Sequence, residues 1–427
     1  MKQINLIVVG DIHFPESVSC RFADQKDDGV ADRLISTASP TPLKTVMRTL
    51  ASACQNPNDI QGILFCGDLT SRGEIASYQA CVDYLNANLD LQNRHRWALD
   101  QLHVVPGNHD VDRSSIDHDG DVFAKFAALE RVWATSNTPI IATAQLRKTI
   151  VRINDATVGM FSLNSCLGCG EKRYLPKRVR DPLSAIFATA YNEADANEKF
   201  ALFGEQLDTP AFASEDVDAL AEEIEHADDR LLPIVLAHHN ILSQAQPRID
   251  LYTEVINGGM VRTRLSTCDR PVLYCHGHIH KDPIEIIRTP DPDCGPLVSI
   301  SAPRFDDGFL RLEIFFSATD RPLGCNVIRY RFGDSGVKSD ANDPRRISFR
   351  GPRDVYRGNP RIREILNCVA PEYSKFRTIL DSVRQSSQKQ TYEKTVADVL
   401  LEAEWFGFLE ILNRTEDHKH WQVNRVL

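Results

Sequence analysis

The chain has 427 residues, of which 42% are hydrophobic and 25% charged, with 22 Gly and 22 Pro, the composition of a globular protein of two or three domains. That composition excludes collagen, coiled coil and disorder as the organising principle, and no apolar run reaches the ~18 residues that span a bilayer. With 49 Lys plus Arg against 59 Asp plus Glu, the net charge of −10 argues against a chain that coats nucleic acid or anionic lipid through overall charge.

In chain order, short β-type runs end abruptly in Gly, Asp, Asn or His. Ile4–Val9 meets Gly10-Asp11, too soon for a signal peptide, and reads as a buried strand. Residues 14–40 lack strand signals and read as a loop or cap. Ile63–Cys66 runs into Gly67-Asp68, and Leu102–Val105 into Pro106-Gly107-Asn108-His109-Asp110. A second stretch without strand signals, about 165–215, carries Cys166 and Cys169 at C-x-x-C spacing. No second pair follows at zinc-ribbon distance, so these read as ordinary thiols. Ile234–Ala237 then meets His238-His239, and Val272–Cys275 meets His276-Gly277-His278-Ile279-His280. Leu297–Ser301, Leu310–Phe316 and Asn326–Phe332 read as a meander completing a second sheet. Gly333–Arg346 reads as a polar linker. Strands alternating with amphipathic helical stretches make an α/β pattern, and the eleven scattered Cys suit free thiols in a reducing cytoplasm.

Seven of the thirteen histidines fall in these strand-end clusters. In α/β sheets the carboxyl ends of strands are where ligands bind, so five such clusters point to one site. Carboxylates, imidazoles and one carboxamide together form a donor set for Mn, Fe, Zn or Co rather than Mg or Ca.

Asp11-Ile-His13, Gly67-Asp68, Gly107-Asn108-His109-Asp110, His238 and Gly277-His278-Ile279-His280, in that order, resemble the signature blocks of the calcineurin-like metallophosphoesterase superfamily. The resemblance spans residues 4 to 280. It implies a two-sheet β-sandwich flanked by helices and a dinuclear centre of two divalent or Fe/Mn/Zn-type ions, with Mn the expected ion in vitro. It further implies Asp11, His13 and His280 on one metal, Asn108, His238 and His278 on the other, and Asp68 bridging both. The implied reaction is phosphoester hydrolysis by a metal-bridged hydroxide, with His109 protonating the leaving oxygen and Asp110 as its orienting partner. His239 is left beside the substrate, and Arg72 is a candidate for a phosphate oxygen. Pro106 before Gly107 and Asp110 after His109 depart from the protein Ser/Thr phosphatase wording and resemble the bacterial cyclic-nucleotide phosphodiesterase branch, so a nucleotide-type phosphodiester is the expected substrate.

The division expected is 1–335 for the catalytic domain and 336–427 for a basic linker and small, mainly helical domain. Residues 336–427 hold sixteen Lys plus Arg against thirteen Asp plus Glu, which leaves −13 on residues 1–335. Arg345, Arg346, Arg350 and Arg353 open the tail with Phe349 and Tyr356 interleaved, a pattern suited to a nucleic-acid strand. Helical periodicity over Pro371–Gln388 and Thr391–Trp405 precedes a hairpin of Phe406–Leu412 against His420–Val423, resembling a winged-helix module. Two other functions fit this tail: a nuclease on DNA or RNA, and a subunit that recruits a protein partner and hydrolyses secondarily. No membrane role is expected.

Overall fold

The computed structural model describes residues 2–14, 42–169, 209–242, 255–349, 360–370, 373–386 and 392–426. Within these, 57–58, 72, 94–95, 98–100, 113–121, 137–139, 142–145, 154–155, 229, 292 and 415 are excepted, and single positions between 178 and 189 are added. The expected loop 14–40 and most of 165–215 therefore lie outside the described residues, as do Arg72, Arg350 and Arg353.

The elements are β1 (Lys2–Val9), α1 (Pro42–Ala53), β2 (Gly62–Phe65), α2 (Ile75–Leu89), β3 (Leu102–Val104), α3 (Ala127–Ser136), β4 (Ile140–Ile141), β5 (Arg147–Ile153), β6 (Ala156–Ser162), α4 (Ser214–Glu225), β7 (Leu231–Leu236), α5 (Gly258–Ser266) and β8 (Val272–His276). There follow β9 (Ile284–Ile287), β10 (Leu297–Ser301), β11 (Gly308–Phe316), β12 (Pro322–Gly333), β13 (Gly336–Ser339) and β14 (Arg345–Ser348). The last group is α6 (Pro360–Asn367), β15 (Ser374–Lys375), α7 (Phe376–Ser386), α8 (Glu393–Trp405), β16 (Leu409–Ile411) and β17 (Gln422–Arg425).

β1 shows why its run is apolar throughout. Successive side chains of a strand point to opposite faces. Ile4, Leu6 and Val8 enter the core between two sheets, whereas Ile7 and Val9 pack outward with α1, α2 and α3. One sheet has the order β13-β12-β11-β1-β2-β3-β4, with β14 also on β12, and the other β5-β6-β7-β8-β10-β9. The second sheet buries its outer face under α4 and α5. The result is the expected helix-flanked two-sheet sandwich, an α/β fold. β1, β2 and β3 run parallel in one sheet, and β6, β7, β8 and β10 in the other, so their carboxyl ends open toward a common edge.

Two expectations need correction. The three late strands do not form one meander: β10 pairs parallel with β8, whereas β11 and β12 pair onto β1 in the opposite sheet. Residues 333–346 are no linker. β13 and β14 both pair antiparallel with β12, at the sheet's edge, where only one flank needs a partner and polar residues are tolerated.

The remaining elements have their own core, from Ile362 to Val423. Pro360 opens α6, the position where a missing N–H costs nothing, so proline begins a helix that the sequence reading did not foresee. The expected hairpin forms between β16 and β17, and β15 adds a third strand. Trp405 at the end of α8 buries its ring against Phe315 and Leu323 of the large sheet, and Arg346 lies 4.1 Å over the same ring. Arg345 donates to the Ile284 carbonyl. The described cysteines are free thiols, most of them buried, and no described helix is long and apolar enough to cross a membrane.

Candidate metal centre

Asp11 and His13 follow β1, Asp68 follows β2, Asn108 and His109 follow β3, His238 follows β7, and His278 and His280 follow β8. Seven described non-glycine residues have positive φ, and five of them are Asp11, His13, Asp68, His278 and His280, at +31° to +67°. Left-handed backbone at such residues costs of order 1–3 kcal/mol each and persists where the surroundings enforce it. Here the enforcing groups are hydrogen bonds between the loops: the His13 N–H donates to the Asp68 backbone carbonyl (2.9 Å) and the His278 N–H to the Asp11 carboxylate, at Oδ1 (3.0 Å). Gly107 is required by close approach, since a Cβ there would lie 2.0 Å from Asp68 Oδ1.

Two groups result. Asp11, His13, Asp68 and His280 bring one donor atom each within 4.8 Å of one another, and His238, His239 and His278 do likewise. His13 Nε2 and His280 Nε2 are 3.4 Å apart, and His238 Nε2 is 3.0 Å from Asn108 Oδ1. Two ligands each about 2.1 Å from one ion lie roughly 3–4 Å apart, so both spacings fit a shared cation. Asp68 Oδ2 is 3.7 Å from His13 Nε2 and 3.4 Å from His238 Nε2, facing both groups. Its other oxygen accepts the His109 N–H at 2.9 Å.

The charge states suit a metal. Burial holds His13 and His278 well below the usual imidazole range and lowers His280 to about 4, leaving them neutral, the ligating form. Burial raises Asp11 to about 8, with His238 opposing and Asp68 adding to the shift. Asp68 is the opposite case: burial alone would raise it, but the imidazoles of His238 and His109 hold it well below the carboxylate range. His238 rises to about 10 against its own burial because Asp68 faces it. A divalent ion between the two would displace that proton, and would stabilise two carboxylates buried side by side.

Several expected roles are placed differently or more fully. Asp110 is not the orienting partner of His109. Its carboxylate accepts the N–H groups of Leu69, Thr70 and Gly107 and the Thr70 hydroxyl, tying the β2 and β3 loops together, while Tyr78 donates to its carbonyl. His109 instead sets Nδ1 3.4 Å from the Ser71 carbonyl and its ring edge-on to His13, centroids 4.8 Å apart. His276 is buried, lowered by that burial to about 4, with Nδ1 3.0 Å from the Gly277 carbonyl. Sequence reasoning missed Thr70 and Ser165, which are buried and serve the loops. It also missed Arg304, whose charge acts on His13 and His280. Arg304 lies beyond β10 with no motif to mark it.

The family model for calcineurin-like phosphoesterases matches residues 4–282, and the chain belongs to that family. Members carry a dinuclear metal centre, and the His and Asp groups above are those that could hold it. No match was found among curated proteins. Among solved structures, the chain is similar to a candidate 5'-nucleotidase from Staphylococcus aureus, at 14% identity and TM-score 0.42, covering 82% of this chain but only 55% of that one. It is also similar to a dimetal phosphatase from Danio rerio, at 11% identity and TM-score 0.43, with 81% and 99% coverage. A third is a 5'-nucleotidase precursor from Thermus thermophilus, at 12% identity and TM-score 0.39, with 88% and 61% coverage.

Proposed function

We propose that the chain is a dinuclear metal-dependent hydrolase of a nucleotide-type phosphodiester, with Asp11, His13 and His280 on one ion, Asn108, His238 and His278 on the other, and Asp68 between them. The observation that carries this reading is the placement of Asp68 Oδ2, within 3.7 Å of a histidine from each group. Bound by these residues, two ions would supply a clamp for the phosphoryl group and an activated nucleophile.

The chain's own residues do the rest. His109 is half-buried, its Nδ1 faces the Ser71 carbonyl, and we assign its Nε2 the role of handing a proton to the leaving oxygen. The bond from its N–H to Asp68 Oδ1 keeps that imidazole in register with the metal ligands. Asp110 fixes both loops and so acts as a positioning residue. Arg304, ion-paired with Asp306 at 3.2 Å, adds positive charge beside His13 and His280. Pro106 before Gly107 and Asp110 after His109 support a diester over a phosphoprotein. We place the domain boundary within residues 350–359, after β14, rather than at 335.

The nuclease reading draws no support from Arg345 and Arg346, whose guanidinium groups are engaged by Ile284 and Trp405. The test is turnover of bis(p-nitrophenyl) phosphate, p-nitrophenyl phosphate, cyclic nucleotides and oligonucleotides after Mn reconstitution. Preference for the bis ester and for a cyclic or linear nucleotide diester supports the proposal. Turnover confined to the monoester overturns the diester assignment.

A further inference from the structure

We propose that Cys166, Cys169 and His239 form a separate site for one thiolate-preferring divalent cation of the zinc type, buried behind the His238–His278 group. The C-x-x-C pair lacks a partner pair in sequence, and the fold supplies the missing ligand from the loop after β7. All three side chains are buried, and one donor atom from each lies within 4.8 Å of the others. With metal–sulfur bonds near 2.3 Å and metal–nitrogen bonds near 2.1 Å, a tetrahedral site sets S and N about 3.6 Å apart. Cys166 Sγ is 3.9 Å from His239 Nδ1, and the two thiols are in hydrogen-bond contact.

The tautomer of His239 follows from its neighbour. Ser165 Oγ accepts the N–H groups of His238 (3.3 Å) and His239 (3.1 Å), which uses its lone pairs. Its own hydrogen therefore goes to His239 Nδ1, 2.9 Å away, so Nδ1 carries no proton, and a cation bound there would take over the lone pair that accepts this hydroxyl, whose hydrogen would turn away. Among the described residues Nε2 has no hydrogen-bond partner, and the ring packs against those of His238 and His278. The loop is shaped for the pair: the Cys169 N–H donates to the Cys166 carbonyl, and a Cβ on Gly168 would lie 1.9 Å from the Thr209 carbonyl oxygen.

Charge also balances. A divalent cation displaces one proton from each thiol, and the neutral complex of two thiolates and one imidazole suits full burial. Burial holds the Cys166 thiol well above its usual range, so it is the cation that must displace its proton, and the buried Lys125 ammonium, bonded to the Leu167 (2.7 Å) and Cys169 (3.0 Å) carbonyls, anchors the loop that carries the pair. Among the described residues the Pro106 carbonyl, 3.2 Å from Cys166 Sγ, is an oxygen near enough to complete the coordination, while Ser165 Oγ keeps its two N–H bonds. The bound ion would fix His239, and through the chain its neighbour His238.

The dinuclear ligands contain no sulfur, so a metal–sulfur signal reports this site whatever happens at the other. X-ray absorption on the full-length zinc-loaded protein should show a sulfur shell at about 2.3 Å. The double variant Cys166→Ser, Cys169→Ser should lose that shell together with one zinc per chain. Nitrogen and oxygen scattering alone in the wild-type protein overturns the proposal, as does a Cys166–Cys169 disulfide found by mass spectrometry in protein purified under reducing conditions. The wild-type spectrum decides the matter even if the variant does not fold.

Discussion

The strand-edge loops and the C-terminal module use burial in opposite ways. At the edge, Asp11, Asp68, Asn108 and His238 are buried with their polar groups aimed at one another, and Asp11 and Asp68, like His13, His278 and His280, sit on left-handed backbone. In the module the buried groups are mostly apolar, Ile362, Ile379, Leu400 and Val423 among them, and the only described positive φ beyond residue 360 is at Gly407. The sandwich core therefore stabilises an arrangement that would be costly alone, whereas the module's burial stabilises only itself and its contact through Trp405. Substitutions at the edge should act on chemistry more than on folding, and those in the module the reverse.

The sharpest break is Asp68→Ala. Removing the one carboxylate that faces both groups should abolish hydrolysis and metal retention together, a larger loss than His109→Ala. The latter should lower kcat by about 10²–10⁴ with metal content unchanged, the size of a lost general acid. Metal analysis beside the rate separates the two. Trp405→Ala should leave turnover of a small diester near wild type while costing about 3–5 kcal/mol in chemical unfolding of the module, because a buried indole is removed from its contact with Phe315 and Leu323. Comparable loss of turnover would show that the module serves the site.

A separate effect is on pH. Burial raises Asp11 from an ordinary 3.8 to about 8 in the metal-free chain, so the folded state holds a proton that the unfolded state has released. That stabilisation is full below pH 3.8 and disappears as pH rises toward 8, so the Asp11 contribution lowers the Tm of the metal-free protein across this window. Metal should flatten the slope, as should Asp11→Asn. An unchanged slope in both would remove Asp11 as its source.

Most of the edge was legible in the amino-acid sequence because each ligand cluster follows a short apolar run and four of the five also follow a glycine, such as Gly107, whose missing Cβ makes room for Asp68; His238 follows Ala237. β1, β7 and β8 could be read in the same way. β5, β6 and β9 could not: Arg147–Ile153 starts polar, Gly159 interrupts β6, and Ile284–Ile287 is only four residues long. β13 and β14 looked like linker because an edge strand needs little apolar side chain. Arg304 and the approach of His239 to Cys166 depend on how β10 and β7 are ordered in the sheet, which local pattern does not encode. The role of Asp110 was misread because adjacency to His109 in sequence suggested contact, whereas its carboxylate turns back to Leu69 and Thr70.

The central claim is that one carboxylate joins two ions, and electron paramagnetic resonance of the Mn-reconstituted chain tests it most directly. The account predicts an exchange-coupled Mn pair in the wild-type protein that is lost in Asp68→Ala. Isolated, uncoupled Mn signals in the wild type, or a coupled pair that survives the substitution, would contradict it.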